Sequence, residues 1–232
     1  MSKQADTYWF LKRMTLVALA PLGGIYVQGE DNVPKEGAVL LVSNHCSYLD
    51  PVAIGDASPR RALFMGKAQL FKNRFLNYVL RGVDCFPVKR GAADVSAFKT
   101  ALAMLKEGRV VCIFPEGTRQ DSEEQLGQPE PGAAVFAIKT GCPVVPVFVR
   151  GANQVLDRKG GLHRGKITVA FGEPFTLPRS AEREAAGHQL MEAIARTRDF
   201  WRDKPSKRVP TLDPIHPIER AVAPRPPPGG GD

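Results

Sequence analysis

His45 and Asp50 follow directly on an apolar run, Gly37-Ala38-Val39-Leu40-Leu41-Val42-Ser43, with Asn44 immediately before the histidine. An imidazole acts as a base when one ring nitrogen is open and a partner on the other fixes its tautomer. Asp50 can be that partner only where the chain bends. In a straight helix, a five-residue separation turns through about 500° and leaves the two side chains roughly 140° apart. His45 to Leu49 is therefore expected to be a loop or a distorted first turn. Asp50-Pro51 agrees, because the residue before proline avoids the helical region and proline favours the first helical position. Asp50 is expected to cap that helix as well as to orient the imidazole. The competing reading is a simple helix cap beside a core histidine.

The second constellation is Phe114-Pro115-Glu116-Gly117-Thr118-Arg119. A strand end followed by a glycine, a hydroxyl and an arginine suits a phosphate group. Gly117 lets backbone N–H groups approach, Thr118 donates, and Arg119 offers a planar fork of donors. Glu116 would repel a phosphate, so it is expected to meet a hydroxyl or to orient Arg119. A tight turn without a ligand is the alternative. Cys46, beside His45, is a competing thiol nucleophile.

These residues need a frame. Gly37 to Ser43, Ala62 to Met65, Asp84 to Val88, Arg109 to Phe114, Val144 to Val149 and Ile167 to Phe171 read as strands. Val95, Phe98, Leu102 and Leu105 fall at helical spacing within a helix over Ala92 to Glu107. Further helices are expected over Ala133 to Thr140 and Ala181 to Asp203. Strands alternating with helices imply a single α/β domain with a largely parallel central sheet flanked by helices. Ligands in such sheets gather at the carboxyl ends of strands. Ser43-Asn44-His45, Val88-Lys89-Arg90 and Phe114-Pro115-Glu116 all lie at such ends.

The chain has 232 residues, 43% hydrophobic and 24% charged, with a formal net charge of +8 and a pI near 9.5. That balance suits one folded domain attracted to anionic partners. Cys46, Cys85, Cys112 and Cys142 are spread without metal-ligand or disulfide spacing. Residues 1–31 form the expected membrane-associating segment. Tyr8-Trp9-Phe10-Leu11-Lys12-Arg13 opens it, and an apolar run from Met14 to Val27 is interrupted by Pro21, Gly23 and Gly24. The uninterrupted part is shorter than the ~20 residues of a spanning helix. An amphipathic helical anchor is expected, aromatics in the interface and Lys12 and Arg13 on anionic headgroups. A signal peptide and a helix packed on the domain are the alternatives. The domain proper is placed at 32–203. Residues 204–232, rich in proline and ending in Pro226-Pro227-Pro228-Gly229-Gly230-Gly231, read as a disordered tail.

Taken together, the motifs resemble the glycerophospholipid acyltransferase family, in particular its 1-acylglycerol-3-phosphate acyltransferases. Asn44, His45 and Asp50 match its first block, and Phe114 to Arg119 matches its third in full. Phe86-Pro87-Val88-Lys89-Arg90 looks like the second block, without the usual Ile-Asp-Arg ending. Val144-Val145-Pro146-Val147 fits the fourth. Lys67-Ala68-Gln69-Leu70 keeps the basic residue of a Lys-x-Glu-Leu motif and loses its acid. The stretch after Arg119 departs too, with Asp121, Glu123 and Glu124. The resemblance runs roughly from Asn32 to Glu173.

It implies transfer of an acyl group from a thioester, acyl-CoA or acyl-carrier protein, to the hydroxyl of a lysophospholipid. His45 is then the base and Asp50 its orienter. Asn44, Lys67, Arg90, Glu116, Gly117, Thr118 and Arg119 bind substrate. No cofactor, metal or acyl-enzyme is needed. The implied location is the cytoplasmic face of an anionic membrane, held peripherally. Rivals are another acceptor such as glycerol 3-phosphate, a hydrolase using the same base, and a non-catalytic lipid-binding module. No nucleic-acid motif is present.

Overall fold

A computed structural model describes residues 3–74, 77, 80–81, 85–88, 95–130 and 132–211. Its centre is an eight-stranded sheet in the order β4-β3-β5-β2-β6-β7-β1-β8. The strands are β1 (Ile25–Gln28), β2 (Val39–Ser43), β3 (Ala62–Lys67), β4 (Cys85–Val88), β5 (Val110–Ile113), β6 (Val144–Arg150), β7 (Ile167–Phe171) and β8 (Lys207–Arg208). The helices are α1 (Lys3–Leu19), α2 (Asp50–Ala57), α3 (Val95–Lys106), α4 (Val135–Thr140), α5 (Ala152–Val155) and α6 (Arg183–Trp201).

From β4 to β6 all neighbouring strands run parallel, and the sheet reverses once at β6–β7 and again at its β8 edge. β2 and β5 are buried at every position, the pattern of a strand covered on both faces. Pro146 lies inside β6 without breaking a ladder. β7 begins pairing only at Val147↔Phe171, and Pro146 spends its carbonyl on the Gly172 N–H. One face of the sheet carries Leu41, Val145 and Val147 with Ala53 and Ile54 of α2; the other carries Leu40, Val42 and Phe148 with Leu190 and Ile194 of α6. Glu182 caps α6 by accepting the N–H groups of Glu184 and Ala185.

The expected α/β sheet is present, but it reaches further along the chain in both directions. β1 lies within the stretch assigned to the N-terminal segment, and it pairs in register with β7. Pro21, Gly23 and Gly24 mark the end of the helical stretch, but the four residues that follow are too few to show a strand's alternation. β8 lies within the stretch read as a disordered tail and pairs Lys207 with Val27 and Arg208 with Tyr26. A two-residue edge strand carries no periodicity to read. Asp84 and residues 89–94 lie outside the described residues, as do residues 212–232.

α1 has two apolar surfaces. Tyr8, Leu16 and Leu19 are buried, with Arg61 stacked 4.6 Å from the Tyr8 ring centre. Tyr8 is therefore a packing residue and not an interfacial aromatic. Phe10, Met14 and Val17, spaced to share the opposite side of the helix, are 62%, 52% and 51% exposed. No helix among the described residues is long and apolar enough to cross a membrane.

The α1–α2 contact is held by a buried acid. Asp56 accepts the Thr15 hydroxyl at 2.8 Å, beside Lys12 bonded to the Ser58 carbonyl. Burial pushes the Asp56 carboxyl up to about 7, against the pull of Lys12 and the Thr15 hydroxyl. The folded protein therefore holds this proton more tightly than the unfolded chain. Its contribution to stability is complete below the ordinary carboxylate range and is lost as pH rises through about 7. Asp56→Asn keeps an acceptor for Thr15 and removes the charge. Its melting temperature at pH 8 is expected to exceed the wild type's by roughly 4–8 °C, as a gain of about 2 kcal/mol implies at this chain length. The difference should shrink as pH falls below about 7 and disappear only below the ordinary carboxylate range, and equal differences at pH 8 and pH 4 would exclude a buried charge as the cause.

Candidate functional site

β3, β5 and β2 are adjacent and parallel, so Lys67, Phe114 and His45 emerge along one edge of the sheet. Strand spacing alone puts the outer two about 10 Å apart. Beyond β2 the chain turns sharply. His45 Nδ1 lies 2.9 Å from Asp50 Oδ2, and that same oxygen accepts the N–H groups of Cys46 at 2.7 Å and Ser47 at 2.8 Å. The bend expected from the five-residue spacing is thus held by the aspartate itself. Asp50 does not cap α2, however. It is the first residue of that helix, and no side chain caps its start. The carboxylate folds back over the turn before the helix, because the backbone donors there are closer to hand than those ahead.

Asp50 is 1% exposed. The His45 side chain is 17% exposed, and its ring stacks on Phe114 with centres 4.1 Å apart and planes 22° apart. Nε2 has no hydrogen bond among the described residues. With Nδ1–H on the carboxylate, Nε2 carries the open lone pair that proton abstraction requires.

Two buried side chains lock this turn to its surroundings. Asn44 accepts the Val149 N–H at 2.8 Å and donates to the Val149 carbonyl at 2.9 Å. Glu116, 3% exposed, accepts the His45 N–H at 2.9 Å through one oxygen and the Gly127 N–H at 2.8 Å through the other. Burial raises the Glu116 carboxyl above its ordinary range, opposed by those two N–H groups. Both residues were expected on the substrate. Their polar atoms are instead spent on the backbone, where they fix the histidine. The Gln120 N–H adds a bond to the His45 carbonyl at 2.7 Å, so the two motifs are tied together directly.

The remainder of the second motif faces outward. Gly117 and Thr118 are exposed, and Gly117 sits at φ +64°, where a Cβ would lie 2.6 Å from Glu130 Cγ. Only glycine turns there without strain. The Arg119 guanidinium lies 3.7 Å from the centre of the Tyr48 ring. Tyr48 is 54% exposed, so the stack holds the guanidinium plane at an open edge. Lys67 ends β3 opposite Val88 of β4, in the same parallel set. Arg90 lies outside the described residues.

Cys46 is buried, and its thiol is pushed up to about 12 by that burial and by Asp50, Glu116 and Glu123. A thiol so rarely ionised near neutrality is a poor nucleophile. The acidic stretch after Arg119 is internal bracing. Glu123 accepts the Gly151 N–H at 2.7 Å, Glu124 pairs with Arg198 and Arg202, and Asp121 pairs with Arg158. Tyr48 escaped the sequence reading, and Glu123 was noted there only as a departure, without its bond to Gly151. A tyrosine between a histidine and an aspartate carries no signal until the arginine beneath it is known. A glutamate in a charged run reads as solvated.

The Acyltransferase family model matches residues 24–150. The 1-acyl-sn-glycerol-3-phosphate acyltransferase of Bacillus subtilis (strain 168) is 30% identical over 168 residues, 72% of this chain and 81% of that protein. The chloroplastic enzyme LPAT1 of Arabidopsis thaliana, of the same description, is 28% identical, but this chain spans only 48% of its length. Among solved structures, the 1-acyl-sn-glycerophosphate acyltransferase PlsC of Thermotoga maritima superposes with a TM-score of 0.70 at 27% identity, covering 86% of this chain and 81% of its own.

Proposed function

The chain belongs to the acyltransferase family, and from that premise we propose that it transfers a fatty acyl group from a thioester to the sn-2 hydroxyl of 1-acylglycerol 3-phosphate, giving phosphatidic acid. The observation that carries this reading is the His45–Asp50 contact at 2.9 Å, bonded on its backbone to the turn that presents Arg119. His45 Nε2 takes the proton of the acceptor hydroxyl as that oxygen attacks the thioester carbonyl. Asp50 holds the imidazole and stabilises its cation. The tetrahedral adduct collapses with loss of the thiolate, which leaves with the proton from the imidazolium. Arg119, Thr118 and the backbone at Gly117 take the acceptor phosphate, with Lys67 and Arg90 as further cations. The donor is acyl-CoA or an acyl-carrier protein.

Phe10, Met14 and Val17 are the groups proposed to enter the membrane interface, with Arg13 beside them on anionic headgroups, at the cytoplasmic face. This arrangement brings a lipid-borne hydroxyl to the site without a spanning helix.

The test is incubation of the purified protein with lysophosphatidic acid and a labelled acyl thioester. Labelled phosphatidic acid is expected. Free fatty acid alone would mean a hydrolase, and equal rates with phosphate-free lyso-lipids would overturn the acceptor. Arg119→Ala is expected to raise the acceptor KM by roughly 10–100-fold, the loss of charge-assisted bonds worth about 1.5–3 kcal/mol. kcat should change little. An unaltered KM would remove Arg119 from the phosphate site.

A further inference from the structure

A cleft of about 290 Å³ opens where β6 and β7 meet the segment after α6. Arg150, Lys166, Arg202 and Lys204 line it together with the hydroxyl residues Thr168 and Ser206, and no carboxylate is among its lining residues. It lies on the sheet face covered by α6. Arg150 alternates with Val149, which belongs to the cluster under α2, and shares its side of β6 with Phe148, which belongs to the other. The cleft is thus separate from the edge where His45, Asp50 and Arg119 gather.

The four cations are neutralised unequally. Arg202 is paired with Glu124 at 3.1 Å and Asp199 at 3.3 Å. The other three form no ion pair among the described residues. The Lys204 ammonium lies 2.9 Å from the Phe200 ring centre, and that of Lys166 lies 4.3 Å from the Tyr26 ring centre. Arg150 Nη2 is buried with no hydrogen bond. Glu123 is near enough to feel the Arg150 charge, but it spends an oxygen on the Gly151 N–H. A buried guanidinium donor left unbonded is costly, and an arriving anion removes that cost. The lysine heads, held only by ring faces, are free to turn toward it. Pockets for drug-sized ligands begin near 300 Å³, so the cleft is large enough for a phosphate with a small alcohol.

We propose that this cleft is a second phosphate-binding site, for a phosphate group of headgroup size that reaches it either on an anionic phospholipid or free in solution. Arg150 supplies the fixed fork, Lys166 and Lys204 close on the outer oxygens, and Thr168 and Ser206 donate.

Trp201 reports on this place. It edges the small cavity that shares Arg150, Gln28 and Thr168 with the cleft, and Lys204 lies 5.3 Å from its ring. The chain has two tryptophans, so Trp9→Phe leaves Trp201 as the sole one. In that background, inorganic phosphate at fixed ionic strength is expected to change the fluorescence saturably, while chloride does not. Lys166→Ala/Lys204→Ala, two exposed positions, should weaken the response about tenfold or more, as should Arg150→Gln, and Arg119→Ala should leave it intact. In a second arm, sedimentation with phosphatidylglycerol or phosphatidylcholine vesicles separates the sources. Loss of phosphatidylglycerol binding in the double-lysine variant, with competition by phosphate, assigns the lipid headgroup. Unchanged vesicle binding beside a lysine-dependent phosphate response assigns the free anion. The proposal is overturned by a phosphate response that survives the double-lysine variant, by one that Arg119→Ala abolishes, or by no saturable response and no lysine dependence on either vesicle.

Discussion

His45→Ala protein is expected to lose acyl transfer by about 10²–10⁴-fold while remaining folded, the range a positioned general base supplies. Folding should survive because the histidine side chain is not what holds its loop. Asp50 keeps its bonds to the Cys46 and Ser47 N–H groups, Glu116 keeps the His45 N–H, and Gln120 keeps the His45 carbonyl, all of which are made to the backbone at residue 45 or beyond it. The lost side chain leaves the face of Phe114 uncovered. The melting temperature is therefore expected to fall by only a few degrees, about the 2–4 °C that 1 kcal/mol produces in a domain of this size. The rate of phosphatidic acid formation and the thermal midpoint, measured on one preparation, check both halves. A folded His45→Ala protein with full activity would end the proposed mechanism. Phe114→Ala should be milder, because it frees the ring without removing the base.

The site was legible where chemistry and geometry constrain residue type, and illegible where they do not. A histidine five residues before an aspartate specifies a bend if the two are to meet, and the chain bends there. The same reading placed Asp50 at the helix start, where it lies, but also gave it the cap, although its oxygen is taken by the turn behind it. Spacing establishes that two side chains can meet; it does not say which of several nearby N–H groups a carboxylate will choose. Asn44 and Glu116 show the same limit. Their types suit a ligand, yet each is buried and satisfied by backbone groups distant in sequence, Val149 and Gly127. Only the folded register β2–β6 brings Asn44 beside Val149. The inner strands were read because their side chains are apolar throughout. β1 and β8 were not, because at four and two residues both are too short to show a pattern. The clustering of Arg150, Lys166 and Lys204 likewise depends on strands that meet only in the sheet.

Asp50 offers the sharper dissection, since its two substitutions are expected to part company. Asp50→Ala removes the one oxygen on which His45 Nδ1 and two backbone N–H groups converge. Those N–H groups lie beside a residue 1% exposed, so they are left in a place that excludes water. At about 1–3 kcal/mol for each unsatisfied buried donor, stability should fall by roughly 2–6 kcal/mol. Activity should fall as far as in His45→Ala, because the imidazole loses both its tautomer and its place. Asp50→Asn behaves differently. The two backbone N–H groups force the amide oxygen into the position of Oδ2, since the amide NH₂ there would oppose them. The oxygen still accepts the imidazole Nδ1–H, and Nε2 keeps its lone pair. Only the negative charge is missing when the imidazolium forms. A hydrogen bond to a charged group is worth about 1–2 kcal/mol more than a neutral one, so the rate should drop by only about 5–30-fold. Rates of phosphatidic acid formation and urea midpoints for the two variants decide the matter. A loss in Asp50→Asn equal to that in Asp50→Ala would mean that the charge, and not the convergence of donors on one oxygen, makes this turn work.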